Sequence, residues 1–274
     1  MSTRQSSSKK PSGPITVVVL LAVAVYLLVT NRSSPPVDPG AASKAATAAV
    51  NPLDRLLQPA AGVVQSDGVG LIVLMDVSGS MGDPVADSGG RKAPKIEIAR
   101  RSVLAVLGQC DRAARENPAR NIQVGVYEFS APDRGEPCRT VIPLGPLRLD
   151  QAEAAVRSMR PGGGTPIGDA VIKAQGDLAA SGLARKHILV VTDGENNRGY
   201  SPGDVVGAIN RLGESDRSAV YFIAFDVAAE RFQGVRDAGG LVLPAGNETE
   251  LRQTLDYVLT GKILAEQPET PAAK

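Results

Sequence analysis

The stretch Leu71-Ile72-Val73-Leu74-Met75-Asp76-Val77-Ser78-Gly79-Ser80-Met81 decides how the rest of the chain is read. It opens as a short unbroken apolar run and closes in one carboxylate and two hydroxyls, each two residues apart. Such a run, bounded by turn residues, suits a strand buried on both faces, which is the usual state in a parallel sheet. The polar cluster then falls just past the carboxyl end of that strand, where open α/β sheets place their ligands. Asp and Ser oxygens are hard donors, suited to Mg²⁺ or Ca²⁺ and poorly suited to zinc or copper. An oxygen-lined cation site at a sheet edge is the first expectation.

Composition bounds the alternatives. The chain has 274 residues, enough for one large domain with a substantial core plus additional segments. Thirty Lys and Arg against 29 Asp and Glu leave a formal charge of +1, and aromatic residues make up only 3%, so nothing argues for nucleic acid as a partner. Two cysteines, Cys110 and Cys138, exclude a disulfide scaffold or a zinc ribbon. The one histidine, His187, restricts catalytic readings.

Outward from the opening stretch, the N-terminal side divides into segments. Residues 1–14 form a Ser-rich, basic leader with Arg4, Lys9 and Lys10. Residues 15–30 carry no charge and span about 24 Å as a helix, slightly short of a bilayer core of about 30 Å. Bilayer thinning and the flanking Pro14 and Asn31 close that gap. The expectation is a single transmembrane signal-anchor helix, because Val29-Thr30-Asn31-Arg32 is a poor cleavage site. The basic leader keeps the N-terminus cytoplasmic and sends the remainder across, into the periplasm or outside the cell. Cleavage would instead release a secreted protein. Residues 31–66, rich in Pro and Ala, read as a semi-extended linker with no more than a helical turn at Leu53–Leu57.

The globular part is expected over 67–264. Helical spacing starts near Pro94, with Ile96, Ala99, Val103, Val106 and Leu107 on one face. Strands are predicted at Ile122–Ser130, Arg139–Leu144, His187–Thr192, Ala219–Phe225 and Leu241–Leu243. Helices are predicted at Asp150–Met159 with Asp150 as N-cap, from Thr165-Pro166 with Thr165 as N-cap, at Pro202–Leu212, Ala228–Asp237 and Glu248–Leu264. Residues 265–274 read as a disordered tail. Alternating strands and helices argue for an α/β fold with a doubly wound, mostly parallel sheet, helices on both faces and one antiparallel edge strand at Arg139–Leu144. In that topology Cys110 and Cys138 lie roughly 20 Å apart, beyond the ~7 Å Cα separation a disulfide spans, so two free thiols are expected.

Three pieces now stand at strand ends or helix starts: Asp76-x-Ser78-x-Ser80, Gly163-Gly164-Thr165-Pro166-Ile167-Gly168-Asp169 and Thr192-Asp193-Gly194. Together they resemble the metal-ion-dependent adhesion site of the von Willebrand factor type A domain family, over about Val69 to Gly261. The resemblance implies that Ser78, Ser80 and Thr165 supply hydroxyls directly to a cation, Mg²⁺ or else Mn²⁺ or Ca²⁺. It implies that Asp76 and Asp193 act through water or through the other ligands. A sixth position is then left for water or for an Asp or Glu of a protein partner. Taken singly, each piece has a structural explanation as a cap or a turn. Asp169 and Asn197 read as loop and capping residues.

An enzyme is the weaker expectation. Ser78 lacks the Gly-x-Ser-x-Gly elbow, and five residues of strand put His187 about 17 Å from Asp193. The run Gly162-Gly163-Gly164 is followed by no Gly-Lys-Ser/Thr and is no phosphate loop. A membrane-anchored, cation-dependent protein-binding module is the leading expectation. A scaffold or assembly factor in a membrane complex, with an ATPase as possible companion, and a metal-dependent hydrolase are the alternatives.

Overall fold

The computed structural model describes residues 51–58, 61–131 and 135–266. Residues 1–50 lie outside it, so the expected leader, the apolar segment 15–30 and the first part of the linker lie outside the described residues. Among the described residues no helix is long and apolar enough to cross a membrane.

The elements follow in the order α1 (Pro52–Leu56), β1 (Ser66–Asp76), β2 (Pro84–Ala86), β3 (Lys92–Pro94), α2 (Lys95–Glu116), β4 (Ile122–Phe129), β5 (Cys138–Gly145), α3 (Leu149–Ser158), α4 (Ile167–Ser181), β6 (Leu183–Thr192), α5 (Pro202–Asn210), β7 (Ala219–Phe225), α6 (Gln233–Asp237), β8 (Leu241–Ala245) and α7 (Glu248–Val258). The main sheet runs β5-β4-β1-β6-β7-β8, and every pairing is parallel except β4 with β5. The antiparallel edge strand is therefore where the sequence placed it. From β1 the chain moves one way to β4 and β5, then crosses to β6 on the other side of β1. The carboxyl ends of β1 and β6 thus flank the topological switch point, where a crevice opens in such sheets.

Strand β1 is central, and its residues from Leu71 to Met75 have no exposed surface. Strand alternation divides them between two cores. Leu71, Val73 and Met75 pack with Val103, Leu107, Val156 and Leu255, on the face covered by α2, α3 and α7. Ile72 and Leu74 pack with Val171, Leu178, Val205, Ile209 and Phe222, under α4 and α5. Each such fully buried side chain contributes about 1.5–3 kcal/mol before entropy is counted.

The structure corrects several sequence expectations. The end of the expected linker is part of the domain: Leu53 and Leu57 are 5% and 3% exposed and join the core under α5. Asp54 also pairs with Arg211 at 2.9 Å. A segment of this composition orders here because tertiary burial supplies what local propensity lacks. The loop after the opening stretch contains the two-stranded hairpin β2–β3, which has too few residues to show a period. Helix α3 starts at Leu149 after Arg148, so Asp150 lies inside the first turn rather than capping it. The final helix gives way after Val258 to a π turn over Leu259–Ile263. The expected tail at 265–274 is described only to Glu266, whose carboxylate lies 3.4 Å from His187 Nε2. Cys110 and Cys138 are free and buried on opposite faces of the sheet.

Candidate functional site

The last residue of β1, Asp76, is fully buried, and its carboxylate receives two donors. The Ser78 amide donates to Oδ1 at 2.7 Å and the Thr192 hydroxyl to Oδ2 at 2.6 Å. Thr192 ends β6, so this pair ties the two central strands at the switch point. Burial pushes the Asp76 carboxyl up to about 6, against the opposing hydrogen bonds from Ser78 and Thr192. A buried carboxylate with an ionised form this costly is one that a nearby cation would stabilise.

Past Asp76 the chain turns through Ser78 into a short 3₁₀ turn over Gly79–Gly82. Ser78 and Ser80 hydroxyls stand 3.3 Å apart, near the ~3 Å that separates adjacent oxygens around an octahedral Mg²⁺. The Ser80 hydroxyl donates to Asp193 Oδ1 at 2.8 Å. Asp193 follows β6 directly and is 6% exposed.

Thr165 arrives from the second side of the crevice. Its loop is sewn to both neighbouring strand exits: the Gly162 amide donates to the Val77 carbonyl at 2.8 Å, the Gly79 amide to the Gly163 carbonyl at 3.0 Å, and Gly164 bridges Ala131. Asn197 then clamps Thr165, accepting its amide at 2.9 Å and donating its own amide to the Thr165 carbonyl at 3.1 Å. Thr165 is consequently held in the loop. Helix α4 begins at Ile167 with Pro166 at the cap, so the expected capping role of Thr165 is not found. A Cβ built on Gly194 would stand 3.7 Å from both the Ser80 and the Thr165 hydroxyl oxygens, which places the two around one small volume.

Asp76, Ser78, Ser80, Thr165 and Asp193 are thus brought to one edge of the sheet. Among the described residues no group of three or more His, Cys, Asp or Glu side chains could hold a metal. The donors here are instead two carboxylates and three hydroxyls, an all-oxygen set that fits a hard cation and not a soft one.

Sequence reasoning missed four participants. Thr192 stands in the Thr192-Asp193-Gly194 motif with no role that the motif itself assigns. Lys95, first residue of α2, sends Nζ to Asp193 Oδ2 at 3.0 Å and to Asp226 Oδ2 at 2.9 Å. Burial alone would depress the Lys95 ammonium, yet its hydrogen bonds to Asp226 and Asp193 hold it above the ordinary lysine value. Asp226 directly follows β7, so a third apolar run ending in Asp was the signal available. Asn197, a loop or capping residue by its sequence alone, clamps Thr165 and so links two loops far apart in sequence. His187 is buried within β6, with Tyr221 Oη 3.4 Å from its Nδ1, remote along the strand from Thr192.

The model of the von Willebrand factor type A domain matches residues 71–195. Solved structures agree on the fold. A conserved hypothetical protein, BatB, from Bacteroides thetaiotaomicron is 18% identical with a TM-score of 0.55, over 73% of this chain and 100% of that one. The pilus adhesin SpaC from Lactobacillus rhamnosus GG is 18% identical with a TM-score of 0.54, over 75% of this chain and 31% of the adhesin. The PilB minor pilin from Streptococcus sanguinis is 15% identical with a TM-score of 0.54, over 74% of this chain and 62% of the pilin. This chain therefore matches under two thirds of either pilus protein. No curated protein matches it. Residues 71–195 are thus similar to a von Willebrand factor type A domain, and the described residues share the fold of these neighbours.

Proposed function

We propose that this protein is a membrane-anchored von Willebrand factor type A domain that grips another protein through a divalent cation at a metal-ion-dependent adhesion site. The observation that carries this reading is the convergence of Ser78, Ser80 and Thr165 hydroxyls beside the buried Asp76 and Asp193. The three hydroxyls would hold Mg²⁺ (or Mn²⁺ or Ca²⁺), with Asp76 and Asp193 orienting them from behind. The cation would supply an electrophile for an Asp or Glu of the partner. Neutral hydroxyls cancel little of a cation's charge, so an incoming carboxylate is strongly favoured. The adhesin and the minor pilin among the structural neighbours support a role in protein–protein contact.

Residues 15–30 would anchor the chain, leaving residues 1–14 cytoplasmic and the domain in the periplasm or outside the cell. The protein is read as a binding module and not an enzyme, since the one histidine is buried within β6 against Tyr221 and Glu266. Calorimetry of Mg²⁺ binding tests the site directly: Asp76→Ala and Thr165→Ala are expected to abolish it, and undiminished binding in both refutes the assignment. Capture of the partner by the full chain is expected to vanish equally on chelation and in Ser78→Ala. Partner capture indifferent to both would move the protein to the scaffold reading.

A further inference from the structure

Lys95 returns the chain to the site after the β2–β3 hairpin, whose base is closed by the Lys95 amide donating to the Asp83 carbonyl at 2.9 Å. A lysine at the start of a helix opposes the helix dipole, and a lysine side chain only 9% exposed is rare. Helix stability therefore does not account for its placement. Its two partners do. Asp226 holds the ammonium from the β7 exit in a left-handed backbone conformation, φ 53°, which a non-glycine residue adopts at a cost. The Asp226 amide is tied to the Ala245 carbonyl at 2.7 Å, so this arm is braced by β8. Asp193 in turn has both oxygens engaged by protein donors: Oδ2 by Lys95 and Oδ1 by the Ser80 hydroxyl.

We infer that Lys95 is a positioning residue that keeps Asp193 out of direct contact with the cation and thereby sets the site's demand for a partner's carboxylate. The inference rests on the cation reading of the site. A carboxylate oxygen that already accepts from an ammonium is a poorer donor to a metal. For Asp193 to swing onto the cation, Lys95 would have to remain buried with Asp226 as its one counter-charge, which costs desolvation without compensation. Asp193 instead accepts a hydrogen bond from the Ser80 hydroxyl, so the Ser80 oxygen is left to meet the cation through its lone pairs. The cation then meets hydroxyls and water, retains most of its charge, and is neutralised by whatever carboxylate arrives from outside. Without Lys95, Asp193 would satisfy the cation internally and the site would close on itself.

Metal-stripped full chain titrated with Mn²⁺ tests this, reading affinity together with inner-sphere hydration from water-proton relaxation. Wild type is expected to keep about three waters, the six positions less the hydroxyls of Ser78, Ser80 and Thr165. Lys95→Gln is expected to bind Mn²⁺ about tenfold more tightly with about two waters, because Asp193 enters the shell. Lys95→Arg should restore the wild-type affinity and hydration. Asp226→Asn should bind Mn²⁺ more weakly with hydration unchanged, since the lysine charge is then shared by Asp193 alone. Unchanged or weaker binding in a folded Lys95→Gln overturns the inference. If that variant does not fold, wild type decides, and about two waters or fewer would overturn it. Wild type that binds no Mn²⁺ removes the cation reading itself, and the inference falls with it.

Discussion

Thr192→Val is the most direct probe of the switch-point architecture. The substitution keeps the shape of the side chain and removes the hydroxyl, which donates to Asp76 Oδ2 at 2.6 Å and also accepts the Gly194 amide at 3.3 Å. Thr192 and Asp76 are both 0% exposed, so no solvent takes its place. A hydrogen bond to a charged group is worth about 1.5–3 kcal/mol, and the abandoned carboxylate oxygen adds desolvation cost. The expected loss of folding stability in chelator at neutral pH is therefore about 2–3 kcal/mol. Urea denaturation of wild type and variant, fitted for midpoint and slope, measures it. The slope should not change, because the same surface is exposed on unfolding. Saturating Mg²⁺ at a hundred times its Kd should stabilise wild type by about 2.7 kcal/mol more. A loss below about 0.5 kcal/mol would show that Asp76 is not held by Thr192, and would remove the strand-to-strand tie on which the site's geometry depends.

Four further outcomes are expected. In Gly168→Ala the new Cβ would collide with the Tyr200 carbonyl oxygen, displacing the Asn196–Tyr200 loop that clamps Thr165; stability should fall by about 1–3 kcal/mol, and Mg²⁺ affinity by calorimetry should fall with it. Leu53→Ala and Leu57→Ala should each cost about 2–3 kcal/mol in urea denaturation, whereas neutral behaviour would return this segment to the linker. The Arg101 guanidinium and the Ser88 amide hold the Glu248 carboxyl below its ordinary value, so its stabilising contribution is present above pH 4.5 and is lost as pH falls through the lowered folded value; Glu248→Gln should flatten the acid limb of a stability–pH profile. Burial pushes the Cys110 and Cys138 thiols up to about 12, so a thiol reagent should leave both unmodified in the native protein and titrate both on unfolding without reductant.

Much of the fold was legible because its signals are local. The apolar runs at Leu71–Met75 and Ile188–Val191 announce strands buried on both faces, and the helical stripe from Ile96 to Leu107 announces their cover. Asp76, Ser78, Ser80, Thr165 and Asp193 were legible as a set because each stands at the end of such a run or beside a helix start. The clamp by Asn197 and the bridge by Lys95 were not, since each joins residues separated by tens of positions through loops without periodicity. The burial of Leu53 and Leu57 was hidden for the related reason that a Pro- and Ala-rich segment has no pattern until α5 provides a surface.

The sequence by itself determined the order of the main-sheet strands and their covering helices, the parallel sheet with its antiparallel edge, and the oxygen-bearing residue types gathered at the sheet edge. Hydrophobic periodicity and short motifs depend on neighbours along the chain, so they survive without coordinates. Only the tertiary structure decided that Thr165 is a clamped loop residue and not a helix cap, that the domain begins before β1, and that Asp193 is shared between Ser80 and a buried lysine. Those facts arise where separate strand exits meet at the switch point. Distances between elements set them, and no local pattern encodes those distances.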